Sequence, residues 1–177
     1  MKMPTKTKRT VICGLCIALC YVLPVAFHAI GLGGALSPMH IPVLLCGLVC
    51  GGGYGALCGL LGPILSSLIS SMPPALMLVR MIPELCTYGL VAGLLYALRR
   101  KPSISYTYLC LISAMLAGRA VWGVTKAALL GLGGKAFTVS AFFIGGFADA
   151  LPGIILQLLL IPVTVKLLER LTDRSTT

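Results

Sequence analysis

Apolar residues fill this chain in long blocks, at 10–30, 36–72, 75–98, 105–130 and 138–165, with short polar or glycine- and proline-rich breaks between them. Each block is long enough for at least one membrane-crossing helix, which needs about 20 apolar residues. From Thr10 to Val79 there is no Asp, Glu, Lys or Arg. A soluble domain needs charged groups on its surface, so this pattern predicts a chain solvated by lipid.

The block 36–72 is too long for one ordinary span, and the basic residues decide how it divides. Lys2, Lys6, Lys8 and Arg9 precede the first block, and Arg99, Arg100 and Lys101 follow the 75–98 block. Both clusters belong on the cytoplasmic side. An even number of spans must separate them, so 36–72 supplies two, turning at Gly51-Gly52-Gly53. The predicted fold is all-α and integral to the membrane. It is a single domain over 1–177, with six transmembrane helices near 10–30, 36–51, 53–72, 75–98, 105–130 and 138–165. Both termini are then cytoplasmic, and Lys166, Arg170 and Arg174 fall on that side without having been used in the count. Pro38 and Pro42 sit at the start of the second helix, where proline is tolerated. The first block leads directly into more apolar sequence, so it is read as a span and not as a cleaved leader.

Composition agrees with this reading: 58% of residues are hydrophobic and 10% charged, against roughly 25% charged in soluble chains. The net charge of +10 follows the positive-inside pattern, which argues against nucleic acid as a partner. None of the eight cysteines falls in a polar loop. Cys13, Cys16 and Cys20 recur at helical spacing, as do Cys46 and Cys50. They read as small apolar residues within helices, in preference to a metal site on the C-x2-C spacing. No metal or cofactor is expected. Small residues recur every four positions at Gly14/Ala18, Gly51/Gly55/Gly59, Gly89/Gly93 and Ala114/Gly118. Such faces serve either packing within the bundle or docking onto another membrane subunit.

Charges inside apolar blocks are costly and mark function. At about 1.5 Å per residue, Arg80 lies about 8 Å and Glu84 about 14 Å from the outer edge, Lys126 about 6 Å, and Arg119 and Asp149 about 17 Å. These five residues on three helices are predicted to share one polar cavity open to the outside. Arg80 and Glu84 are i,i+4 neighbours that can pair, and Arg119 can pair with Asp149 across helices. Lys126 is then in surplus, suited to an anionic ligand such as a carboxylate, or it snorkels to the headgroups. The alternative for Arg119–Asp149 is a purely structural pair. His28 and His40 are either ligand contacts or hydrogen-bonded interfacial histidines. Trp122 either stacks on a ligand or sits in the interfacial belt. The glycine-rich segment after Gly31 is a candidate lid.

No G-x-x-x-x-G-K-[ST], H-E-x-x-H or nucleophile elbow occurs, so the chain does not read as an enzyme. Uphill transport would draw on an ion gradient or on other subunits. Six helices without an evident internal repeat fit a stand-alone carrier poorly.

The stretch from Leu36 to Gly93 resembles the substrate-binding (S) components of energy-coupling factor (ECF) transporters. The motifs that carry the resemblance are Ser37-Pro38-Met39-His40-Ile41-Pro42, Gly62-Pro63 with Ser66-Ser67, Met72-Pro73-Pro74, and Glu84-Leu85 with Thr87-Tyr88-Gly89. The chain departs from the family pattern at the Gly51–Gly53 turn, where proline is common, and at Arg80, where an apolar residue is expected. The resemblance implies a bacterial cytoplasmic-membrane protein that captures a vitamin outside the cell. Its partners would be a transmembrane T subunit and two cytosolic ATPases. The short form looks most like pantothenate-type members. Other micronutrients of the family, namely a queuosine precursor, niacin, pyridoxine and riboflavin, remain alternatives, as does an ion-coupled carrier using Glu84 and Asp149. The candidate substrate-binding set is Ser37, His40, Arg80, Glu84, Tyr88, Arg119, Trp122, Lys126 and Asp149, under a lid at 31–39. The family's T-subunit docking faces correspond to Gly14, Ala18, Gly55 and Gly59.

Overall fold

A computed structural model describes residues 5–29, 31, 37–99, 103–132, 138–148 and 150–174. Among them there is no strand. The helices are α1 (Lys6–Ala29), α2 (His40–Cys50), α3 (Gly52–Ser70), α4 (Ala75–Ala97), α5 (Ile104–Leu132), the short α6 (Val139–Phe143) and α7 (Leu151–Arg174). A π-helical turn, Ile144–Ala148, follows α6. The sixth predicted span is therefore interrupted. Gly145 and Gly146 let the backbone widen there, and Pro152 suits the first turn of the helix that resumes.

Among the described residues, five helical stretches are long and apolar enough to cross a membrane; α2 is not. Large apolar side chains such as Val11, Leu15, Leu68, Leu76, Leu94, Val124, Leu159 and Val163 point outward. So many exposed apolar groups would be unsupportable in water and are what a lipid-facing belt requires.

The short α2 organises the rest. Ten of its eleven residues are buried, and it packs on α1, α3, α4 and α7. A helix apolar on every face belongs at the centre. At 11 residues it is about 16 Å long, half of a bilayer core of about 30 Å. Its depth follows from its contacts with α4. His40, at its start, lies 3.5 Å from Glu84, nine residues into α4 and so about 14 Å along it. Its end at Gly51 abuts Gly93, about 27 Å along α4. Helix α2 thus fills one half of the membrane depth. The chain reaches its start through Ser37-Pro38-Met39, non-helical backbone at membrane depth that lines a cavity.

Glycines let α2, α3 and α4 meet backbone to backbone. A Cβ on Gly55 would come 2.5 Å from the Gly89 carbonyl oxygen, and one on Gly59 would come 2.6 Å from that of Leu85. Gly55 and Gly59 are therefore consumed inside the bundle, which corrects their placement on an outward docking face. Gly14 and Ala18 are exposed on α1, and nothing lies within 4 Å of a Cβ at Gly14. Cys13, Cys16, Cys20, Cys46, Cys50 and Cys58 are buried on α1, α2 and α3, with the Cys20 and Cys58 Sγ atoms 4.0 Å apart.

The α3–α4 connection is held by hydroxyl groups. Ser66 donates to the Met72 carbonyl at 2.9 Å and Ser67 to that of Pro73 at 3.0 Å, around the cis Met72–Pro73 bond. These contacts give Ser66-Ser67 and Met72-Pro73-Pro74 a shared structural role.

Candidate functional site

Helix α4 sets Arg80, Glu84 and Tyr88 one turn apart on a single face. Glu84 is 2% exposed, and its Oε1 collects the surrounding donors. Arg119 Nη1 from α5 reaches it at 3.1 Å, and the Tyr88 hydroxyl donates to it at 3.1 Å. Tyr88 can stand there because Gly118 of α5 has no side chain: a Cβ on Gly118 would collide with the Tyr88 ring. His40 Nε2 is 3.5 Å from the same oxygen. The other ring nitrogen, Nδ1, lies 3.0 Å from the Ser37 carbonyl oxygen. A carbonyl only accepts, so Nδ1 carries a proton. The His40 and Tyr88 rings meet at 5.1 Å between centroids, which completes a packed polar floor.

This floor closes the inner end of a cavity of about 590 Å³, within the range of small-molecule sites. Ser37, His40, Arg80, Glu84, Arg119, Trp122 and Lys126 all line it, as does His28. Tyr88 stands behind Glu84 and touches the cavity only through it. Lys126 Nζ sits 4.6 Å above the Trp122 ring, a cation–π arrangement. Trp122 in turn packs on Phe142 at 6.3 Å between centroids. Asp149, and the lid residues 32–36, lie outside the described residues, so the expected Arg119–Asp149 pair does as well.

The pairing differs from the sequence expectation. Glu84 bonds to Arg119 on α5, and not to Arg80 on its own helix. Burial explains the choice. Arg119 is 6% exposed and has no water to fall back on, whereas Arg80 is less buried. Glu84 is the one carboxylate whose side chain is described, and Arg80 makes no ion pair with it; Arg80 Nε is buried without a hydrogen-bond partner. The described lining thus holds three basic side chains, Arg80, Arg119 and Lys126, against one carboxylate, a formal excess of two positive charges.

The apolar wall adds Pro24, Met77 and Met81, none of them in the expected site, to residues of the family motifs. Met39, Met72, Met77 and Met81 line the cavity with Pro24, Pro73 and Pro74. A signal is present in the sequence: Met77 and Met81 are i,i+4 neighbours interleaved with Arg80 and Glu84. Methionine adapts its shape to what it covers, so such a wall accommodates the aliphatic part of a ligand. A preformed cavity with basic side chains and a polar floor is suited to bind and orient a small molecule.

Neither curated proteins nor solved structures give a match to the chain. The family model described as ECF transporter, substrate-specific component, matches residues 8–165. With about nine-tenths of its length inside that match, the chain belongs to the substrate-specific components of ECF transporters, membrane proteins that serve as transporter subunits and are not enzymes.

Proposed function

We propose that this S component captures a small carboxylate-bearing micronutrient from outside the cell, with pantothenate as the leading candidate. The supporting observation is the excess of positive charge at the site: three basic side chains against Glu84 among the described residues lining the cavity, an excess of two that Asp149 would reduce to one. A carboxylate entering the site offsets part of that excess, and charge-assisted hydrogen bonds are stronger than neutral ones. The methionine and proline wall suits the branched aliphatic and amide portions of pantothenate. Ser37, His40, Arg80, Glu84, Tyr88, Arg119, Trp122, Lys126 and Asp149 form the proposed site.

In this reading the protein lies in the bacterial cytoplasmic membrane with the cavity facing out. The family association with a T subunit and ATPases supplies the energy. Gly14 and Ala18 on exposed α1 are the proposed T-subunit contact, since Gly55 and Gly59 are already occupied by α4. An ion-coupled carrier built on Glu84 draws less support, because Arg119 and Tyr88 already hold that carboxylate.

The test is mass spectrometry of small molecules retained by the purified protein. A molecule with a carboxylate, of pantothenate mass in the leading case, is the expected result. Retention of a ligand without an anionic group would overturn the proposal.

A further inference from the structure

The cavity offers two guanidinium groups, and they are not equivalent. Arg119 is committed: its Nη1 meets Glu84 Oε1 at 3.1 Å, and both residues are buried. Moving it toward a ligand would leave Glu84 without its ion-pair partner in a nonpolar interior, a strongly unfavourable change. Lys126 has its charge over the Trp122 ring. Arg80 lines the same cavity and lies outside the Glu84 contact; the Nε of each arginine is buried with no hydrogen-bond partner, so it is the ion pair to Glu84 that separates them. It stands one helical turn, about 6 Å, toward the outer end of α4 from the polar floor. A guanidinium has five donors in a planar fork that matches a carboxylate.

We infer that Arg80, and not Arg119, receives the anionic group of the ligand, while Glu84, Arg119 and Tyr88 form a fixed floor that meets its uncharged polar end. This assignment rests on the anionic-substrate reading above. It makes the acid group the feature that sets specificity, placed toward the cavity mouth, with the methionine wall between it and the floor.

The chain has a single tryptophan, Trp122, and it lines the cavity. Its fluorescence therefore reports occupancy in the full-length purified protein. The probes are two acids with their neutral counterparts, pantothenate with panthenol and nicotinate with nicotinamide. The wild type is expected to bind at least one acid, and to prefer it over its neutral counterpart by about 10-fold or more. Arg80→Gln should weaken that acid by about 10- to 100-fold while leaving the neutral counterpart within about 2-fold. Arg80→Lys keeps the charge and loses the fork, so it should recover part of the acid preference. Its unfolding curve and that of Arg80→Gln should match the wild type, since no described ion pair is removed.

Acid binding unchanged in Arg80→Gln would overturn the role of Arg80 and leave the anionic substrate standing. A wild type that binds acid and neutral forms alike would overturn the anionic reading itself. Equal weakening of both forms by Arg80→Gln, with no recovery in Arg80→Lys, would show a structural role and also overturn the assignment. No saturable signal from either acid would overturn both.

Discussion

Replacing Glu84 with glutamine tests the buried centre of the protein. The amide would keep the shape of the side chain and still accept from Tyr88, so the change removes little but charge. Arg119 would then be a buried guanidinium without its counter-charge. At 3.1 Å and an effective dielectric constant near 20, the lost attraction is about 5 kcal/mol. Breaking buried pairs from one side costs about 3–5 kcal/mol, so the two scales agree. The reverse change, Arg119→Gln, leaves Glu84 as the uncompensated buried charge and should cost a similar amount, about 3–5 kcal/mol. The double variant Glu84→Gln/Arg119→Gln buries neither charge and should be more stable than Glu84→Gln alone. Seven of the eight cysteines are buried, so a thiol-reactive fluorophore reports unfolding in detergent during an SDS titration. A double variant no more stable than Glu84→Gln, or Glu84→Gln unfolding as the wild type does, would refute the pair as the centre of the site.

Tyr88→Phe removes one hydroxyl donor from Glu84 and should cost about 1.5–3 kcal/mol in the same titration, with the ring packing unchanged. Gly55→Ala should destabilise by about 1–3 kcal/mol or more, because its Cβ meets the α4 backbone, whereas Gly53→Ala, with nothing within 4 Å, should be neutral or gain up to about 1 kcal/mol from lower unfolded-state entropy. Substituting leucine at both Gly14 and Ala18 should leave the unfolding curve and ligand binding intact but reduce co-purification with the T subunit and ATPases; undiminished co-purification would remove α1 from the proposed contact.

Much of the architecture is legible in the sequence because lipid imposes simple demands. The charge-free run from Thr10 to Val79, the basic clusters and the glycine triplet together imply six helices turning at Gly51. The shared depth of Glu84 and Arg119 follows from rise per residue alone, and their contact agrees with it. What periodicity does not carry is partner choice. The i,i+4 rule points Glu84 to Arg80, but the bond goes to the residue with the greater desolvation to offset, Arg119. Likewise, a four-residue glycine repeat does not say which way it faces. Gly55 and Gly59 turn inward because α2 and α4 crowd that side, while Gly14 and Ala18 remain open. The break at Ile144–Ala148 has a cue in Gly145-Gly146 that hydropathy averages away.

The half-length of α2 also has an electrical consequence. In the proposed outward-facing reading, water and ions in the mouth of the cavity would carry the outside potential toward the level of the polar floor. Most of the membrane voltage then falls across the roughly 16 Å occupied by α2. A monovalent anion of the proposed kind, once bound, would have crossed little of that field, so its capture should be nearly independent of voltage. The inward step meets nearly all of it, about 2.3 kcal/mol per 100 mV when the inside is negative. That electrical work falls on the ATP-driven partners, not on the binding site.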